Sequence, residues 1–248
     1  MTQPTRIIVT GAAQGIGRAV ALRLARTGVR LAIWDQQRDG LEETKRLCRE
    51  SGAQVSARQV DVGVSDQIDA GIAAFNDEWG CPDALVNNAG IFPRSHAIEM
   101  TLEEWDRVLR INLTGTFLCA RAAARLMRAA KSGIIVNMAS GRALHGAANG
   151  AHYAASKGGI IALTKSLAHD WASDGIRVNC VIPGITDTAQ PRGEMNDDQL
   201  MAAGRKTPMG RIGQPSEIAA VVAFLLSDDS SYMTGQSVAV NGGAIMIP

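Results

Sequence analysis

Residues 6–20 read RIIVTGAAQGIGRAV: a β-branched run meets a glycine-rich turn with nothing between, and the turn opens at once into helical spacing. A strand that leaves its sheet through such a turn returns as a parallel neighbour, because a helical crossover carries the chain back to the starting edge. The rest of the chain keeps this alternation. After the strand at 6–10 and a helix through 18–28 come RLAIWD at 30–35, a charged helix near 38–51, QVSARQVDV at 54–62, a helix near 65–79 and DALVNNAG at 83–90. Helices follow near 101–111 and 113–130, then GIIVNMAS at 133–140, a long helix over about 150–173 stopped by Asp174-Gly175, and IRVNCVIPG at 176–184. Pro215 opens a last helix, and QSVAVNGG at 236–243 supplies a seventh strand. The pattern predicts an α/β chain whose parallel sheet is covered on both faces. No linker, repeat or low-complexity tract interrupts residues 1–248, so one domain is expected, and the polar stretch 185–208 reads as irregular and long enough to be a substrate lid.

Composition narrows function by exclusion. Basic and acidic residues number 25 and 24, a formal net charge of +1 without blocks of like charge, so neither nucleic acid nor a membrane surface is an expected partner. Cys48, Cys81, Cys119 and Cys180 lie far apart with no CxxC or Cys/His spacing. That disfavours zinc and disulfide frameworks, assigns no metal, and favours reduced thiols in a cytoplasmic protein. The start, MTQPTRIIVTGAA, has no apolar region of the secretory kind, and AAVVAFLL at 219–226 is too short to span a bilayer.

Thr10-Gly11-Ala12-Ala13-Gln14-Gly15-Ile16-Gly17 has the strand-to-helix context that gives a glycine fingerprint its meaning. Gly11, Gly15 and Gly17 allow a tight turn and close backbone approach, while the free N–H groups of the helix start attract a pyrophosphate. The spacing is GxxxGxG, and in isolation it would read as a packing turn. Asp35 ends the second strand about 20 residues on, where a carboxylate accepts both hydroxyls of an adenosine ribose and repels a 2′-phosphate. A capping aspartate is the plain alternative. Neutral Gln14 and Gln36 flank the position, so NAD is favoured, with NADP the lesser alternative because Arg38 is near. Asp61 and Val62 are placed to bracket an adenine, although Asp61 serves as well for a turn cap.

Tyr153 and Lys157 are spaced four apart in HYAASKGG, which on a helix sets phenol and ammonium on one face about 5–6 Å apart. A free tyrosine, with a pKa of about 10, is a poor base at neutral pH. An adjacent ammonium favours the phenolate and turns the pair into a proton-transfer device. An isolated YxxxK is more often mere packing.

Together, TGAAQGIG at 10–17, NNAG at 87–90, Asn112 in INLTGTF, Ser140 in NMAS, YAASK at 153–157 and PG at 183–184 resemble the short-chain dehydrogenase/reductases in order and spacing, and the resemblance covers essentially the whole chain. It implies a single-domain Rossmann-like three-layer fold with a seven-stranded parallel sheet of order 3-2-1-4-5-6-7, an NAD(H) or NADP(H) cofactor and, commonly, a homotetramer. It further implies that Tyr153 is the general acid/base, that Lys157 holds the nicotinamide ribose hydroxyls, and that Ser140 hydrogen-bonds the substrate oxygen. Asn112 matches the family asparagine whose backbone carbonyl holds a relay water behind the lysine. By the same match Asn88, Ala89 and Gly90 stabilise the sheet beside the cofactor, Pro183 and Gly184 turn near its nicotinamide end, and Thr188 contacts the carboxamide. Two positions depart from the common pattern: Asn241 replaces an aspartate of VDGG, and Thr186 replaces an aliphatic residue, which alters the local contact with the nicotinamide end.

The expected function is NAD(H)-dependent interconversion of a secondary alcohol and a ketone. Sugar or polyol dehydrogenases and 3-oxoacyl-thioester reductases are rival readings within the family, and a non-catalytic NAD-binding sensor is one from another class. Phe92, Leu144 and Met195 are candidates for apolar substrate walls, and Arg94, Arg142, His145, His152 and Arg192 for polar specificity. Small-residue faces on the helices near 113–130 and 150–173 suit burial against further subunits.

Overall fold

The computed structural model describes residues 4–193 and 195–246. Residues 1–3, at the start of the stretch read for a signal, and 194, inside the expected lid, lie outside the described residues, as do 247 and 248. In chain order the first half runs β1 (Arg6–Thr10), α1 (Gly15–Leu24), β2 (Arg30–Asp35), α2 (Arg38–Glu50), β3 (Gln54–Gln59), α3 (Ser65–Trp79), β4 (Ala84–Asn87), α4 (Leu102–Leu109) and α5 (Gly115–Ala130). The second half runs β5 (Gly133–Met138), α6 (Arg142–His145), α7 (Ala151–Trp171), β6 (Ile176–Pro183), α8 (Ala189–Arg192), α9 (Asp197–Arg205), α10 (Pro215–Leu225) and β7 (Ser237–Val240).

The strands form one seven-stranded sheet in the order β3-β2-β1-β4-β5-β6-β7, and every neighbouring pair is parallel. This is the Rossmann-like arrangement that the motif order implied. Period-two alternation splits the core. Ile7, Val9, Leu31 and Ile33 join the cluster beneath α1, α2 and α10, while Ile8, Trp34, Leu85 and Ile135 join the one beneath α3, α5 and α7. Because both faces are covered, the central strands are apolar on both sides. The chain leaves β1 towards β2 and β3 on one side and resumes at β4 on the other, so a crevice opens beyond the carboxyl ends of β1 and β4.

Two expectations need correction. The helices expected at 101–111 and 113–130 are one run, joined by a π-helical turn at Arg110–Thr114 that an apolar-spacing argument does not resolve. The stretch 185–208 is not irregular, since it carries α8 and α9. Asn196 Oδ1 accepts from Gln199 N at 2.9 Å and Gln199 Oε1 accepts from Asn196 N at 3.0 Å, a reciprocal cap that starts α9. Among the described residues no helix is long and apolar enough to cross a membrane.

A polar seam crosses the second core cluster. Asn87 Nδ2 donates to Asn137 Oδ1 at 3.0 Å and to Thr116 O at 3.2 Å, and Asn137 Nδ2 donates to Thr164 Oγ1 at 3.0 Å. All four residues are buried, so the seam fixes β4 and β5 against α5 and α7, the helices that position the site. Thr164→Val keeps the shape but leaves the Asn137 amide without its acceptor, and it is expected to lower unfolding stability by about 1–3 kcal/mol. Denaturant midpoints at unchanged slope check this.

Candidate active site

The crevice is built first by its backbone. Gly11 has φ +66°, and a Cβ there would come within 2.7 Å of Ala89 Cα and 2.8 Å of Asn88 Nδ2. The turn after β1 therefore lies directly on the turn after β4. Asn88 Nδ2 donates to Thr10 O at 3.1 Å and Gly11 O at 3.0 Å, and Thr10 Oγ1 accepts from Asn88 N and Ala89 N, both at 3.1 Å. Gly17 crosses the same turn so closely that a Cβ would collide with the Gly11 carbonyl oxygen, which makes it a packing glycine behind the cleft.

Gly11, Gln14, Gly15 and Ile16 line a cleft of about 360 Å³ that reaches Asp35, Val62 and the turn at Asn88, Ala89 and Gly90. The first turn of α1 has no side-chain cap from Gln14 and no acidic residue, so its N–H groups face the cleft uncompeted. Asp35 is fixed by two backbone amides, one from the glycine turn and one from its own turn: Oδ2 accepts from Ala13 N and Oδ1 from Gln37 N, each at 3.0 Å. Asp61 does not line this cleft, and its Oδ1 accepts instead from Gly63 N at 2.8 Å.

A second cavity of about 610 Å³ adjoins the first through Ile16, Asn88, Gly90, Phe92 and Thr188. α7 brings Tyr153 and Lys157 to its floor, with the Lys157 ammonium 5.7 Å from the Tyr153 ring centre. Lys157 is 5% exposed and donates to Met138 O at 2.8 Å, at the end of β5. Burial draws its ammonium down to about 8, an effect that Cys180 nearby partly opposes. Ser140 lies two residues beyond Met138 and lines the same cavity, its Oγ accepting from Arg142 N at 3.2 Å. Phe92 stacks on Tyr153 with centroids 3.9 Å apart and planes at 18°.

Asn112 stands behind this pair, in the π-helical turn and fully buried. Its side chain is pinned to Ile91, accepting from Ile91 N at 2.8 Å and donating to Ile91 O at 2.9 Å, and it also donates to Ser156 Oγ at 3.1 Å. Its carbonyl accepts from Thr116 Oγ1 at 2.7 Å. Pro183, Gly184, Thr186 and Thr188 form the opposite wall of the cavity. Thr186 is 5% exposed, and its hydroxyl is turned back to Gly184 O at 3.1 Å.

The substrate candidates separate. Phe92, Arg94, Arg142, His145 and Met195 line the cavity. Leu144, His152 and Arg192 do not line it. Leu144 faces solvent on α6. Arg192 is held by Asp187 and Asp197. His152 is wholly buried with Nδ1 accepting from Tyr153 N at 2.8 Å, and burial holds it below the usual imidazole range. Ile185, Lys206 and Ile245 also line the cavity and carry no local motif. Only the packing of the chain after β6 and β7 brings them there.

A family model described as Enoyl-(Acyl carrier protein) reductase matches residues 11–244. The chain is 41% identical over 237 residues to cis-4-hydroxycyclohexanecarboxylate dehydrogenase of Sinomonas cyclohexanicum, covering 95% of this chain and 94% of that one. It is 39% identical over 237 residues to 3-oxoacyl-(acyl-carrier-protein) reductase FabG of Chlamydia trachomatis, covering 95% of each. Among solved structures it is similar to a point variant of actinorhodin polyketide ketoreductase with NADPH, with a TM-score of 0.92 at 34% identity over 96% of both chains. The chain belongs to the short-chain dehydrogenase/reductase family. It is thus an oxidoreductase of the kind that binds a nicotinamide dinucleotide. The donor set fits one: uncapped N–H groups stand at the middle of the crevice, a fixed carboxylate at one end, and a buried ammonium with a phenol at the other.

Two outcomes follow from this geometry. Gly17→Ala should push α1 off the Gly11 turn and cut dinucleotide affinity by at least about tenfold, more than its loss of stability explains, because close backbone approach is what the turn supplies; titration calorimetry beside thermal melts separates the two effects. The second concerns pH. The proton of an ammonium held near 8 in the folded protein, against 10.5 ordinarily, is released at lower pH by the folded than by the unfolded chain. Stability therefore shifts towards the folded state as pH climbs from about 8 to 10.5, and that contribution is lost below about 8. The stability difference between the unmodified protein and Lys157→Met is expected to move in favour of the unmodified protein across that window and to stay flat below it.

Proposed function

We propose that this chain is an NAD(H)-dependent dehydrogenase that interconverts a secondary alcohol and a ketone, with Tyr153 as general acid/base. The observation that carries the reading is the buried Lys157 ammonium, held on Met138 O beside Tyr153, under a cavity that Ser140 also lines.

When bound, the nicotinamide supplies or accepts the hydride. Tyr153 gives its proton to the alkoxide that forms in reduction and takes it back in oxidation. Lys157 stabilises the phenolate left behind and offers its remaining donors to the ribose hydroxyls of the cofactor. Ser140 Oγ already accepts from Arg142 N, so its own hydroxyl proton is available to the substrate oxygen. Phe92 keeps the Tyr153 ring in one orientation and covers one of its faces against water. The Asn112 carbonyl has a second lone pair beyond its bond from Thr116, enough for a relay water that restores the proton through Lys157.

Asp35 supports NAD. Fixed between Ala13 N and Gln37 N, its carboxylate keeps lone pairs for ribose hydroxyls and opposes a 2′-phosphate. Arg18, in the first turns of α1, is engaged with Thr44 Oγ1, Ala13 O and Gly40 O. A second reading, reduction of a 3-oxoacyl thioester, is supported by the 39% identity to FabG. In both readings the chain is a single domain with 185–208 as its lid, acting in the cytoplasm as a homotetramer.

Tyr153→Phe is expected to lower NADH-dependent ketone reduction by about 10²–10⁴-fold while NADH binding is retained. Steady-state rates beside fluorescence titration check this, and full activity in the variant would sink the assignment. Asp35→Ala should narrow the preference for NADH over NADPH by about 10–100-fold, the scale of a lost charge-assisted hydrogen bond. An unmodified protein that prefers NADPH would refute the role given to Asp35.

A further inference from the structure

Among the described residues, the charged side chains lining the substrate cavity are unbalanced in a way that the chain's composition is not. Basic and acidic residues balance at 25 and 24 across the sequence, yet the charged side chains lining this cavity among the described residues are Arg94, Arg142, Lys157 and Lys206, with no carboxylate. Lys157 is committed to Met138 O and the proton path, and Arg94 lies over the Phe92 ring at 4.2 Å while donating to Ala148 O at 2.9 Å. Arg142 differs from both. It is half-buried in the cavity wall, and its guanidinium has no acceptor among the described residues, whereas Arg192 and Arg211 are each paired with carboxylates. A partly desolvated guanidinium without an anion is costly, and a ligand that brings the anion offsets that cost.

The cofactor's diphosphate is not that anion. Gly15 and Asp35 mark the nucleotide cleft, and Arg142 and Lys206 line only the other cavity. Arg142 is two residues from Ser140, so their Cα atoms are at most about 7 Å apart. An anion on Arg142 sits in the same cavity that Ser140 and Tyr153 line, where a carboxylate carried on the substrate itself can meet it. Phe92, Ile185 and Ile245 line the same cavity as apolar surface.

We propose that the substrate is a hydroxy or oxo carboxylic acid whose carboxylate pairs with Arg142, with Lys206 beside it and the hydrocarbon body against Phe92, Ile185 and Ile245. The proposal rests on the dehydrogenase reading and names its substrate class.

Matched oxo acids and their methyl esters of graded length, assayed with NADH, test it. The acid of the preferred pair is expected to exceed its ester by about 10–100-fold in kcat/KM, the range of a charge-assisted hydrogen bond. Arg142→Met should erase that ratio and Arg142→Lys should keep part of it. Equal rates for acid and ester, or a ratio untouched in Arg142→Met, would overturn the proposal and leave the dehydrogenase reading standing. A coenzyme A thioester of an oxo acid turned over faster than every free acid would assign the arginine to carrier phosphates and also overturn it. Binding is read apart from turnover, by ligand-observed NMR of cyclohexanecarboxylate and cyclohexanecarboxamide on the NADH-loaded protein. A carboxylate preference that disappears in Arg142→Met is expected, and equal binding defeats the proposal. Because this arm needs no reduction, it separates failure of the anion site from failure of the dehydrogenase reading.

Discussion

Where a parallel sheet stops, its last carbonyls and amides lose their ladder partners, and in a sheet covered on both faces they have little water to turn to. In this chain the groups that solve this problem are the ones around which the site is built. Thr10 and Asn88 exchange side-chain and backbone bonds across the ends of β1 and β4, and Lys157 takes the carbonyl at the end of β5. Terminating the sheet and assembling the crevice are one task. The polar seam from Asn87 through Asn137 to Thr164 extends the same logic inward, holding α7 at the height from which Tyr153 reaches the cavity.

The two cavities are electrically distinct although they share walls. The nucleotide cleft has helix-start amides at one place and a carboxylate at another, a pattern that suits a molecule with an anionic middle and a hydroxyl-rich end. The neighbouring cavity has cations and apolar surface. Burial makes Lys157 reluctant to stay charged, and a charge that is held reluctantly responds strongly when negative charge appears on a neighbouring phenol. The ammonium is thus more useful buried than it would be in water.

Much of this was legible in the sequence because the signals are local. Short β-branched runs gave the strands, the glycine turn gave the first crossover, and the four-residue spacing put Tyr153 and Lys157 on one helical face. The order of the sheet came from the resemblance of six motifs to a family, since no local pattern encodes which strands are neighbours. What escaped has physical reasons. A π-helical turn adds one residue to a turn without changing which residues are apolar, so Arg110–Thr114 looked like a break between helices. The start of α9 did carry a signal, Asn196 with Gln199 three residues later, that the polar composition of the stretch obscured. Asp61, His152 and Arg192 were plausible by position, but each is engaged within its own turn, core or loop. Lys206 and Ile245 approach from the far end of the chain, where only tertiary packing decides what faces a cavity.

The bond from Lys157 to the end of β5 has a mechanical side. Met138 and Ser140 lie two residues apart at the end of β5, and Lys157 and Tyr153 lie one turn apart on α7, so this bond ties strand end to helix beside the two hydroxyls, while Asn137 and Thr164 tie the same two elements deeper in the core. The two bonds hold α7 and the end of β5 against sliding past each other, so the Tyr153 and Ser140 hydroxyls keep their spacing.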